Sequence, residues 1–187
     1  RDYSLIFNVK EEEVALSHEE WLNNPEKFKA LSGNIYLRPL TSAEGLVLPQ
    51  YVGGNIDLSY LASADGLVLP QYVGGSIVLD SLTSADGLAL PQHVGRDIVL
   101  YSLTSAEGLV LPQHVGGYID LSHLTNADGL VLPQYVGSSI NLSSLTSADG
   151  LVLPHYFDLN KLKCPYNIKE EIMNNPDKYY MEPPTED

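Results

Sequence analysis

A single cysteine, Cys164, is all that the 187 residues contain, so no intramolecular disulfide can form and no cysteine-rich zinc site can be built. That usage fits a reducing compartment, and the expected location is the cytoplasm. Cations are scarce too: ten Lys and Arg stand against 24 Asp and Glu, a formal net charge of -14. Such a chain repels phosphate, which disfavours direct binding to nucleic acid or an anionic membrane and suits a basic protein partner. No apolar run approaches the ~20 residues a membrane span needs. The chain starts with Arg1 rather than methionine, which reads as a trimmed or excised chain. Phosphate loops, dinucleotide fingerprints and zinc spacings are missing as well. Ser and Thr are plentiful but sit at repeat positions without a matched base column, which marks them as scaffold rather than nucleophiles. The expectation is a non-enzyme without cofactor or metal.

What the sequence does have is a repeat. An acidic-Gly-Leu triplet recurs at Glu44, Asp65, Asp86, Glu107, Asp128 and Asp149, each step 21 residues without an insertion. The unit reads L-T-S-A-[DE]-G-L-V-L-P-Q-[YH]-V-G-G-x-I-x-L-x-x. Its x-I-x-L-x portion, as in Asn55-Ile56-Asp57-Leu58-Ser59, alternates with period two and predicts a half-buried strand. Gly-Leu-Val-Leu-Pro, half a unit away and closed by proline, predicts a second. A unit this short has no room for a crossover helix. Each should therefore be one coil of a right-handed parallel β-solenoid, rung upon rung at ~4.8 Å.

Within a coil, chemistry assigns the fixed positions. The Ile and Leu columns beginning at Ile56 and Leu58 should stack inside, and the column beginning at Ala43 should face inward where the coil is narrow. Gly45 and its equivalents should take positive φ in a turn. The column Gly53, Gly74, Gly95, Gly116 and Gly137 never varies, whereas the next position admits Arg96 and Ser138. Only the first glycine of the pair looks obligatory.

The flanks differ from the repeat, giving an N-terminal helical cap over 1–30, a solenoid over 31–159 and a C-terminal helical cap with a disordered tail over 160–187. Ser17-x-x-Glu20 and Asn167-x-x-Glu170 have the spacing of a capping box, and Pro25 and Pro176 each suit the first position of a further turn. Such caps close the terminal sheet edges, which would otherwise invite self-association through an edge or cap.

The unit resembles the bacterial and phage-type leucine-rich repeats of about 20 residues in its Leu48-Pro49, Gly53-Gly54 and Ile56-x-Leu58, a resemblance covering about Leu31 to Pro154. It departs from the better-known pattern by carrying Leu-Thr-Ser-Ala where that pattern has an asparagine after the strand. A straighter solenoid is therefore expected as readily as a curved horseshoe. The resemblance implies protein recognition through the strand face, with Tyr101 and Tyr118 as aromatic anchors.

Candidate binding residues follow from the variable columns. On the strand face they include Asp57, Asp80, Tyr101, Tyr118 and Asp120, against a background of neutral variation on a solvated surface. A second surface pairs the glutamine column from Gln50 to Gln134 with Tyr51, Tyr72, His93, His114, Tyr135 and Tyr156. Stacked amides and rings also stabilise a cross-β arrangement by themselves. His93 and His114, one coil apart, lack a third ligand in register and make a poor metal site. The acidic column Glu44, Asp65, Asp86, Glu107, Asp128 and Asp149 has three readings: turn formation, mimicry of a polyanion, or cation binding. Mimicry would make the protein a DNA-like inhibitor of a nucleic-acid-handling or defence protein such as a restriction or CRISPR component.

Overall fold

The computed structural model describes residues 5–9, 12–16, 30–38 and 40–182. From Ala30 to Lys163 the chain winds as a mainly β solenoid with a parallel sheet along each of two sides. The first sheet carries the Ile-x-Leu segments. Ile35 pairs with Ile56, then Ile77, Ile98, Ile119 and Ile140 in unbroken 21-residue register, and Leu162 forms the last rung opposite Ile140. Adjacent coils are joined by bonds such as Ile56 N–H to Ser76 O at 2.8 Å and Leu58 N–H to Val78 O at 2.9 Å. The second sheet does not lie on Gly-Leu-Val-Leu-Pro. It lies on the next residues, Tyr51–Val52, Tyr72–Val73, His93–Val94, His114–Val115 and Tyr135–Val136, with Ala30–Leu31 as first rung.

The reason for that shift is a three-residue spacing of inward side chains. In the coil from Leu58, the residues Leu58, Leu61, Ala64, Leu67, Pro70 and Val73 all point into the core, and Ile77 and Leu79 restart the alternation. A spacing of three belongs to successive turns rather than a pleat. Two are explicit: Leu61 N–H bonds Leu58 O, and Leu67 N–H bonds Ala64 O, each at 2.9 Å. The second closes around Asp65-Gly66 with Gly66 at φ 75°, as a type II turn requires, and all six equivalent glycines share that conformation. The proline, expected to end a strand, is buried in every coil instead. Identical residues stacking on identical residues fill the interior: the Ile and Leu columns from Ile56 and Leu58 are fully buried, and the alanine column from Ala43 to Ala148 is at most 3% exposed. Each such aliphatic side chain stabilises by about 1.5–3 kcal/mol.

Helical caps were expected at both ends, but among the described residues helices stand only at the C-terminal end, and the described part of the N-terminal cap is a β-hairpin. Leu5–Val9 and Glu12–Leu16 form an antiparallel hairpin, and the first of these strands pairs antiparallel with Asn34–Tyr36 at the head of the first sheet. The capping box at Ser17 and the turn at Pro25 lie outside the described residues. At the C-terminal end, helix Tyr166–Asn174 begins at Pro165 and not at Asn167, whose side chain makes no capping bond; helix Pro176–Tyr179 starts on its proline as expected. Ile168, Ile172 and Tyr179 cover the last coil of the core. Leu162–Lys163 completes the first sheet, Met181 N–H and Tyr179 O bond Leu153 on the third side, and Lys161 Nζ donates to Val136 O at the open edge of the second. A lysine at a sheet edge blocks further strand addition.

The two-glycine segment shows how tightly the coils nest. A Cβ on Gly74, Gly95, Gly116 or Gly137 would fall 2.5, 2.2, 2.1 or 1.9 Å from the carbonyl oxygen one coil back, so this column can only be glycine. The second position is conditional. Asn34 Oδ1, Asn55 Oδ1 and Asp97 Oδ1 each accept the N–H one coil on, from Asn55, Ser76 and Tyr118, at 2.7 to 2.9 Å. Those oxygens occupy the space of a Cβ on Gly54, Gly75 and Gly117, at 2.3, 2.3 and 2.0 Å. Arg96 and Ser138 appear where the preceding coil carries Ser76 or Tyr118 instead. We therefore expect Gly75→Ala to cost about 1 kcal/mol less in an Asn55→Ser background than alone. Relief is partial, because the Gly54 carbonyl also stands 2.5 Å away. Denaturant unfolding of the four proteins in the cycle measures this, and additive effects contradict it.

Candidate protein-binding faces

On the outer face of the first sheet, side chains that play no part in the core stand in three columns. Asp57 is engaged locally: Arg38 Nε donates to Oδ2 at 2.8 Å, Ser59 N–H to Oδ1 at 3.1 Å, and Ser59 Oγ also bonds Oδ1. It is 5% exposed. Burial pushes its pKa up, but the bonds from Ser59 and Arg38 outweigh that and hold the carboxyl below the usual range. Asp80, one coil on, has no cation partner among the described residues, and burial followed by repulsion from Asp57 and Asp120 raises its pKa. Asp97 accepts from Ser76 Oγ at 3.1 Å, and Asp120 accepts Ser122 N–H at 2.9 Å.

Tyr101 and Tyr118 stand among these acids, 47% and 39% exposed. Tyr101 meets His123 edge-on, with ring centroids 4.1 Å apart. Burial, then the charges of Asp97, Asp120 and Asp80, raise the Tyr118 hydroxyl's pKa. The sequence-derived residues of this face therefore do converge: Asp80, Tyr101, Tyr118 and Asp120 share one surface, while Asp57 is tied to Arg38. A groove of about 340 Å³ lies at its near edge between Arg38, Ser59, Tyr60, Asp80 and Ser81.

The second sheet carries the aromatic ladder. Tyr51, Tyr72, His93, His114 and Tyr135 stack with centroids 4.6, 5.3, 4.9 and 4.5 Å apart and planes within 14° of parallel. Lys161 Nζ closes the last ring at 5.4 Å. Because each ring face is covered by its neighbour, only edges remain for a partner, and the glutamine side chains beside them make no hydrogen bonds with one another among the described residues. Tyr156 does not continue the ladder; it turns to His155 and is 88% exposed. Among the described residues no group of three His, Cys, Asp or Glu is gathered as a metal ion needs.

The acidic column is exposed along its length and bound into its turns. In five coils a serine two residues earlier accepts the acid's N–H, as Ser63 does for Asp65 at 3.1 Å; Asn126 does so for Asp128 at 2.6 Å. The last acid, Asp149, is met by Lys178 Nζ at 2.7 Å, which lowers its pKa, helped by Ser147. The remaining feature escaped sequence reasoning. The valine of Gly-Leu-Val-Leu-Pro points outward, leaving Val68 and Val110 71% and 74% exposed on the third side. Counting inward positions by threes would have found it. No helix among the described residues is long and apolar enough to cross a membrane. Burial raises the Cys164 thiol's pKa, opposed in part by the charge of Lys169. Compared with family models, curated proteins and solved structures, the chain matches none.

Proposed function

We propose that the protein is a non-catalytic interaction scaffold that binds a basic protein partner through the outer face of the first sheet. The observation that carries this reading is the grouping of Asp80, Asp97 and Asp120 around the exposed rings of Tyr101 and Tyr118, with Arg38 engaged on Asp57 at the margin. Aromatic rings supply desolvated contact area and carboxylates select cations, a pairing common at the centre and rim of protein interfaces. The regular ladder of the first sheet holds both side-chain columns in place, which lowers the ordering cost of binding. The resemblance to leucine-rich repeats leads to the same face.

A second reading is favoured by one feature, the row of exposed carboxylates from Glu44 to Asp128. Between Leu40 and Asn160 the chain has eleven acids and one cation, Arg96, so the rod could occupy the groove of a DNA-binding protein. One capture experiment separates the two. The immobilised protein retains a partner identified by mass spectrometry, and Tyr101→Ala and Tyr118→Asp are expected to release it whereas Tyr72→Ala does not. Duplex DNA should compete only under mimicry. Retention unchanged by both strand-face substitutions would refute the proposed surface.

A further inference from the structure

The third side, between the acidic turns and the second sheet, has features that neither sheet explains. Val68, Val110 and Val131 are exposed in a straight row along the rod, beside the half-buried Leu69 and Leu90. Val110 shares one shallow groove of about 630 Å³ with Glu107 and Asp128, so the apolar row and the acidic row border the same surface. A neighbouring groove of about 570 Å³ is lined by Leu69, Pro70, Leu90 and Pro91. Resting on the reading of the chain as an interaction scaffold, we infer that this side docks a cationic amphipathic helix of a partner protein.

Spacing and charge select that occupant. Positions of this row, where Ala89 stands between Val68 and Val110, recur at ~4.8 Å per coil, while the apolar stripe of an α-helix lying along the rod recurs every ~5.4 Å and that of an extended strand every ~6.8 Å. Over the three steps from Val68 to Val131 the helix drifts by about 2 Å and the strand by about 6 Å, so only the helix stays in register. A helix also satisfies its own backbone, which matters on a side that offers few ladder bonds. The acidic row on one flank complements Lys or Arg one turn apart on the helix. A second copy of this chain would bring two acidic rows together, and an anionic lipid surface would meet the same repulsion.

The test uses a synthetic peptide of about 18 residues with leucines at i, i+3, i+4 and i+7 and lysines along one flank. Fluorescence anisotropy should show binding, and circular dichroism a gain of helix on mixing. Val68→Ser with Val110→Ser should weaken the affinity tenfold or more, on the order of the loss of two buried isopropyl groups, without changing the melting temperature. Tyr101→Ala should leave the peptide's affinity unchanged, so this surface and the sheet face fail or succeed separately. Equal affinity for a composition-matched peptide with its leucines scattered around the helix overturns the inference. So does an unaltered affinity in the valine variant, or a sedimentation shift from dimer to monomer in that variant, which would assign the surface to a second copy.

Discussion

Gly95→Ala is expected to destabilise the solenoid by about 4 kcal/mol or more, placing it among the most damaging single substitutions this chain can carry. The added Cβ would stand 2.2 Å from the Gly74 oxygen and 2.8 Å from its carbonyl carbon, and both are backbone. Nothing flexible can give way. Coils must therefore separate at the second sheet, where Gly95 N–H bonds Val73 O at 2.8 Å and Gly116 N–H bonds Val94 O at 2.9 Å. The same substitution at Gly66 meets only Ala43 O, at 3.9 Å, and bears only the penalty of a positive φ, about 1 kcal/mol. Arg96→Ala, next to Gly95 but exposed, should fall within about 0.5 kcal/mol of neutral. Chemical denaturation of the three variants orders them, and similar losses at Gly95 and Gly66 would show that nesting is not what fixes the column.

Leu100→Ala should cost about 2–5 kcal/mol, because the side chain is fully buried between Leu79 and Leu121 in a column without slack. In a repeat protein each coil is supported chiefly by its neighbours, so the damage should be local. Amide exchange is expected to rise over Ile77–Val78, Ile98–Val99 and Ile119–Asp120, while the hydrogen bond from Leu142 N–H to Lys163 O near the C-terminal cap stays protected. Uniform loss of protection along the rod would instead mean that the solenoid unfolds as one unit.

Much of this architecture was legible because a repeat states each packing requirement six times. The alternation around Ile56 and Leu58 placed the first sheet correctly, and the invariant alanines and turn glycines took the roles their chemistry demands. The second strand was misplaced for a physical reason. Gly-Leu-Val-Leu-Pro looks extended and apolar, yet its inward residues fall three apart with Ala64 and Val73, which builds turns and leaves the valine in solvent. The ends were harder still, since Asn167 matches a capping box by spacing while the backbone at Pro165 already starts the helix. Of the candidate binding residues, the ladder from Tyr51 to Tyr135 could be read from register alone. That Arg38 engages Asp57 could not, because Arg38 stands at a variable position of the first coil and its side chain reaches across to the next.

The most direct measurement is a calorimetric titration of the captured partner into the wild-type protein and the Tyr101→Ala, Tyr118→Asp double variant at ~0.15 M salt. The account predicts a loss of affinity of roughly a hundredfold, as expected when two aromatic anchors are removed, with an unchanged melting temperature. An affinity equal to wild type would contradict the claim that this acidic, aromatic sheet face is where the partner binds.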